Sequence, residues 1–263
     1  MSIAEPPSTD VSELELPPES TSIVSFVRRV LWLTFLLDTS GSMQGAKITS
    51  VDYAMGELVP IIRKMLTGKL AGYDLRVMVI SFSSSAKVEQ SWVSPESWTY
   101  SSLKADGGTS FEAAYDLWGQ ELSGLADTLS VAPVGILLSD GRPSRSPDAA
   151  LKRLMTNPLA KHSQRAAVAV GSGADRNELN KFVSEGQKVY DVDAPEEIAD
   201  AITAATLAAV EGSIAPATGR AADAAPSHLA GNGASIPSII HSSLTPAEMQ
   251  ALRDAGIDPK ELV

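Results

Sequence analysis

Two carboxylates and three hydroxyls, spread over three distant segments, carry the clearest chemistry in this chain. Asp38, Ser40 and Ser42 alternate with other residues in Asp38-Thr39-Ser40-Gly41-Ser42, Thr109 lies in Gly107-Gly108-Thr109-Ser110, and Asp140 lies in Ser139-Asp140-Gly141. Hard oxygen donors of this kind suit a hard cation. Mg²⁺ takes an octahedron of oxygens, commonly from few protein carboxylates, and keeps some of its water. A lone Asp-x-Ser-x-Ser run is weak, because Asp, Ser and Gly are common in loops. Three such segments, each after a strand-like run or within a Gly-rich loop, are a much stronger signal.

The flanking sequence predicts how these segments are held. Val30 to Leu37 is an almost uninterrupted apolar run and reads as a buried strand, so Asp38 emerges at its end, just before a helix. Ile48, Val51, Ala54, Met55, Leu58, Ile62 and Met65 recur at helical spacing, with Pro60 expected to kink or split the helix. Asp74 to Phe82 reads as a strand, paired antiparallel with Ala86 to Val93 through Ser83-Ser84-Ser85. A helix is expected from Ser110 to about Asp127, with Phe111, Ala114, Leu117, Leu122 and Leu125 inward. Val134 to Ser139 and Ala166 to Val170 read as strands, with Val189-Tyr190 as a short edge strand. Helices are expected over Pro147–Met155, Asn177–Glu185 and from Pro195 to about Val210, the last favoured by proline and two glutamates in its first turn. Such alternation predicts an α/β, doubly wound, mostly parallel sheet with helices on both faces and one antiparallel edge strand. Ligands of such sheets sit at the carboxyl ends of the strands, where all three oxygen-bearing segments fall.

Bulk properties narrow the function classes. The chain has 263 residues, 44% hydrophobic and 20% charged, with formal net charge −11 and pI about 4.7. Residues 1–27 hold five acids and no base, while 28–211 hold 22 acids and 18 bases. No basic stripe exists, so nucleic acid and anionic membrane are not expected partners. The absence of cysteine excludes disulfides, thiolate zinc sites and a cysteine nucleophile. Ile23 to Leu37 is interrupted by Arg28-Arg29 and too short to span a bilayer; with no signal-peptide pattern, the expected location is cytoplasmic.

With these segments in this order, residues 28–211 resemble the von Willebrand factor A (VWA) family. Asp38, Ser40, Ser42, Thr109 and Asp140 match all five positions of its metal-ion-dependent adhesion site (MIDAS). The resemblance implies that Ser40 and Ser42 bind the cation directly. Thr109 would bind directly in one state and through water in another, and Asp38 and Asp140 would act in either way. It implies Mg²⁺, with Mn²⁺ or Ca²⁺ able to take the same donors, and a coordination position open to an acidic residue of a partner protein. A metal that only staples the loops is the other reading. Leu36 to Met43 and Val168 to Asp175 are most similar to bacterial tellurium-resistance-type (TerY-like) A domains. That implies a signalling or stress-response module associated with a protein kinase or a PP2C-type phosphatase. Some of those relatives carry a cysteine-rich C-terminal piece, which a chain without cysteine does not share.

Other chemistries fit less well. A haloacid-dehalogenase-type phosphatase needs a second carboxylate two residues after the first, and Ser40 stands there. Serine hydrolysis needs a nucleophile elbow and a histidine base; the histidines are His162, expected in a solvated loop, and His228 and His241 in a linker. Gly171-Ser172-Gly173-Ala174-Asp175-Arg176 has Arg176 where a dinucleotide loop needs its third glycine. A substrate-handling subunit for an AAA-type ATPase is a third possibility. Trp92, Trp98 and Tyr100 are expected to cluster near the Gly107-Gly108-Thr109 loop, as a partner anchor or as packing. Arg142 and Arg145 border the predicted metal face. Asp38 is expected to lie outside the core, so that its replacement leaves the fold intact. Residues 1–27 read as a disordered acidic arm and 212–243 as a flexible linker. Residues 244–263 read as a short helix, begun by Thr245, Pro246 and Glu248, that needs a surface on which to dock.

Overall fold

The computed structural model describes residues 29–68, 70, 72–125 and 131–215, all within the first of two units, Met1–Pro216 and Ala217–Val263. Six strands, β1 (Arg29–Asp38), β2 (Tyr73–Phe82), β3 (Ala86–Val93), β4 (Val134–Ser139), β5 (Gln164–Val170) and β6 (Val189–Val192), form one sheet. Their order is β3-β2-β1-β4-β5-β6. Every neighbouring pair is parallel except β2 with β3. The fold is thus the mixed, mostly parallel α/β sheet that strand–helix alternation predicts.

β1 is central and buried on both faces, which explains its near-continuous hydrophobicity. Leu31, Leu33, Phe35 and Leu37 pack beneath α1 (Ala46–Thr67) and α6 (Ile198–Ile214), against Val51, Met55, Leu58, Ile202 and Ala209. The opposite face presents Leu36 and Thr34 to α2 (Phe111–Ser123), whose neighbours are α3 (Asp148–Leu154), α4 (Pro158–His162) and α5 (Arg176–Phe182). Since side chains alternate along a strand, this one run serves two hydrophobic layers.

Several local expectations are corrected. The positions on α2 that are buried are Phe111, Ala114, Tyr115, Trp118 and Leu122; Leu117 and Leu125 are only partly covered. The aromatic pair wins the inward positions because the space over β4 is deep: Gly135 leaves room for the Trp118 ring, whose Nε1 donates to Thr34 Oγ1 at 3.0 Å. His162 ends a short helix rather than lying in a loop, although its side chain is exposed as expected. The last helix continues past Val210 to Ile214, because Ser213 donates to the Ala132 carbonyl and Gly212 fits against Gln164 and Gln187. Residues 1–27, 244–263 and Asp127, and the Met65 side chain, lie outside the described residues. So do residues 216–243 of the expected linker. Among the described residues no helix is long and apolar enough to cross a membrane.

α1 is one continuous helix from Ala46 to Thr67 with Pro60 inside it, not two. Pro60 and Gly56, whose carbonyl the proline leaves without its usual helical donor, are both exposed, so water can satisfy that oxygen. An interior proline costs about 3 kcal/mol, against about 1 kcal/mol recovered by restricting the unfolded chain. Pro60→Ala is therefore expected to raise the unfolding free energy by roughly 2 kcal/mol in urea denaturation. A midpoint that stays put or falls would contradict this account of α1.

Candidate metal centre

The carboxyl ends of β1 and β4 lie side by side, and the β2–β3 turn adjoins them. β1 delivers Asp38 as its last residue, paired with Phe82 of β2. The backbone then makes a single 3₁₀ turn, Gly41–Met43, before α1. Ser40 occupies the cap position of that turn, yet its hydroxyl makes no capping bond; it lies 3.1 Å from Ser42 Oγ. Ser42 Oγ donates to Asp140 Oδ1 at 2.7 Å. Asp38 Oδ1 accepts from the Ser40 amide at 2.8 Å, and Asp38 Oδ2 accepts from Ser139 Oγ. Asp38, Ser40, Ser42 and Asp140 thus form one connected polar cluster.

Thr109 joins them through Gly141. A Cβ on Gly141 would lie 3.2 Å from Thr109 Oγ1 and 3.6 Å from Ser42 Oγ, so only glycine leaves that space between the hydroxyls open. The Thr109 loop is fixed on several sides. Gly41 donates to the Gly107 carbonyl at 2.9 Å, Asp106 to the Thr39 carbonyl at 2.7 Å, and Ser144 to the Thr109 carbonyl at 2.8 Å. Gly107 has φ +82°, a conformation that suits glycine, and a Cβ there would meet Ser84 Oγ at 2.9 Å. Ser110 caps α2 through the Ala113 amide, which leaves Thr109 as the hydroxyl on the site.

Asp38 is fully buried, and Ser40, Thr109 and Asp140 are nearly so. The expectation that Asp38 lies outside the core is thereby corrected. The reason is topological: β1 is central, so its last residue is roofed by the loops after β2 and β4. Burial pushes the Asp38 carboxyl above the usual carboxylate range. Hydrogen bonds from Ser139 and Ser40 oppose that rise, and the neighbouring Asp140 charge adds to it. Two carboxylates held this way favour a cation strongly.

The donor set fits a hard dication. It consists of oxygens only, two of them carboxylates, gathered around a space that Gly141 keeps clear. Among the described residues no three of His, Cys, Asp or Glu gather to hold a metal.

The sequence did not reveal Ser139, which holds Asp38, Ser144, which holds the Thr109 loop, or Lys47, whose ammonium contacts Asp140. Ser139 in Ser139-Asp140-Gly141, Ser144 in Pro143-Ser144-Arg145 and Lys47 in Gly45-Ala46-Lys47 lie in contexts too common to mark them. The aromatic cluster is corrected as well. Trp98 stacks on Tyr100 with centroids 6.3 Å apart, and Tyr100 donates to Asp52 of α1 at 2.8 Å, so this pair packs its loop onto α1. Trp92 lies apart from it, edge-on to Trp32 at 4.8 Å. Arg142 and Arg145 are exposed in the loop that follows Asp140.

The model of the von Willebrand factor type A domain family matches residues 33–204. Among solved structures, a von Willebrand factor type A protein from Catenulispora acidiphila aligns with TM-score 0.53 and 19% identity, covering 69% of this chain and 42% of that one. Proximal thread matrix protein 1 from the mussel byssus aligns with TM-score 0.51 and 15% identity, covering 67% of this chain and 47% of that one. Another structure of the mussel protein, with a zinc-occupied MIDAS motif, has TM-score 0.48 and 16% identity, covering 71% and 47%. At these identities the likeness is one of fold, and the alignments span less than half the length of those solved chains. No curated protein matches the sequence.

Proposed function

The chain belongs to the von Willebrand factor type A domain family, and from that premise we propose that it is a non-enzymatic protein-interaction module built around one divalent cation. The observation that carries this reading is the donor set: oxygens from the ends of β1 and β4 and from the Gly107-Gly108-Thr109 loop meet at one sheet edge. Asp38, Ser40, Ser42, Thr109 and Asp140 would hold the ion. Mg²⁺ is the best match to few carboxylates and several neutral oxygens, with Mn²⁺ or Ca²⁺ as substitutes. When bound, the cation supplies a Lewis-acidic position for a carboxylate of the partner protein. The chain's own groups do the remainder. Ser139 and the Ser40 amide orient Asp38, the Ser144 contacts fix the Thr109 loop, and exposed Arg142 and Arg145 add positive charge beside the face.

The finer reading is a TerY-like signalling or stress-response role inside a bacterial cell, with a protein kinase or PP2C-type phosphatase as partner. It rests on the stretches Leu36–Met43 and Val168–Asp175. A hydrolase reading has no comparable support, since Ser40 stands where a second carboxylate would be needed.

The test is capture of partners on immobilised protein in Mg²⁺, repeated with EDTA and with an Asp38→Asn bait. A partner retained in Mg²⁺ and lost in both other arms is expected. Equal yield in all three would leave the cation, if bound, a purely structural role.

A further inference from the structure

Lys47, in the first turn of α1, reaches back across the loop that carries Ser40 and Ser42. Its ammonium contacts Asp140 Oδ2 and donates to the Ser42 carbonyl at 3.3 Å. The Asp140 side chain is fully buried, whereas that of Lys47 is 33% exposed. Both Asp140 oxygens are therefore engaged, one by the Ser42 hydroxyl and the other by a full positive charge. Together Asp38 and Asp140 bring two negative charges to the cluster, and Lys47 cancels one of them. A lysine suits such a post: its charge is compact, its stem is flexible, and it can swing into water without breaking the fold.

We propose that Lys47 is an internal counter-cation that competes with the divalent ion for Asp140 and so sets how tightly the site binds metal. The inference rests on the metal-site reading above. A dication held by Asp140 must either displace the ammonium or tolerate it a few ångströms away. Even with water-like screening, that repulsion is worth roughly tenfold in affinity. Without the dication, Lys47 is what keeps a buried carboxylate from standing uncompensated. Lys47 thus stabilises the loops while weakening metal binding. The two effects should separate when its charge is removed.

The experiment titrates Mn²⁺ calorimetrically into the full-length wild type, Lys47→Met, Lys47→Arg and Lys152→Met, the last an exposed lysine on α3. Thermal melts with and without Mn²⁺ accompany it. Lys47→Met should bind Mn²⁺ about tenfold more tightly. It should also gain more melting temperature from the ion than the wild type does, since ligand binding stabilises in proportion to affinity. Lys47→Arg should bind no more tightly than wild type, and Lys152→Met should match wild type. Should Lys47→Met melt without cooperativity in EDTA, recovery of cooperative melting by Mn²⁺ would support the proposal, and no recovery would overturn it. A Lys47→Met affinity equal to or below wild type, or tighter binding by Lys47→Arg, overturns the proposal and leaves the metal site standing. Absence of Mn²⁺ binding in both wild type and Lys47→Met overturns the metal-site reading and this inference with it.

Discussion

Asp38→Asn should abolish Mn²⁺ binding, lowering affinity by at least about a hundredfold, while the domain still melts cooperatively. Loss of a group that only hydrogen-bonds to a metal ligand typically costs 10–100-fold, and this change removes one of only two carboxylates in the donor set. Asparagine is the informative replacement because of the burial of Asp38. Its Oδ1 can still accept from the Ser40 amide, and its Nδ2 can donate to Ser139 Oγ, which now donates to the carboxylate. Alanine would leave the Ser40 amide and the Ser139 hydroxyl proton without the acceptor they have now, at about 1–3 kcal/mol each, confusing a binding defect with a folding defect. The measurement is calorimetric titration alongside a thermal melt in EDTA. Near-normal Mn²⁺ affinity in Asp38→Asn would remove Asp38 from the metal shell.

The second large effect is on stability. Trp118 is fully buried on the α2 face of the sheet, with its ring in the space left by Gly135 and tilted against Phe182 at 5.7 Å. Trp118→Ala should lower the unfolding free energy by about 3–5 kcal/mol, since the cavity cannot close over a β-strand that also lacks a side chain there. For a domain of this size the melting temperature should fall by roughly 8–15 °C. Trp118→Phe keeps a ring but loses the bond to Thr34, and should lose only about 1–2 kcal/mol. A Trp118→Ala loss below about 1 kcal/mol would mean that the helix repacks freely over Gly135, contrary to the fit described above. The converse substitution makes the same point: a Cβ at Gly135 would approach Trp118 Cη2 to 2.6 Å.

Much of the fold was legible because its signals are local. The continuous apolar run of β1 and the period-3.6 patterns of α1 and α2 each lie within one short window, and each predicts an element found within a few residues of its expected bounds. The five oxygen-bearing residues stood out for a related reason. A central strand must be apolar to its last turn, so the first polar residues after Leu37 and Leu138 stand out, and a Gly-Gly-Thr loop announces an exposed backbone with a hydroxyl. Boundaries were less legible where tertiary contacts extend or trim an element. α6 runs on to Ile214 because the end of the helix finds Ala132, Gln164 and Gln187, contacts that no window around residue 210 contains.

Which aromatic packs where was decided only in three dimensions. Trp92, Trp98 and Tyr100 are close in sequence, but a β-bulge and the strand edge part them. Trp98 and Tyr100 face α1 while Trp92 meets Trp32. By itself, the sequence determined the order of elements and the oxygen-rich character of the site. Tertiary structure decided that Asp38 is buried, that Ser139 and Ser144 brace the donors, and that Lys47 lies on Asp140. Pattern and composition act over a few residues, whereas charge and burial depend on what the sheet brings within a few ångströms. Lys47 and Asp140 are 93 residues apart in the chain and in direct contact in the fold.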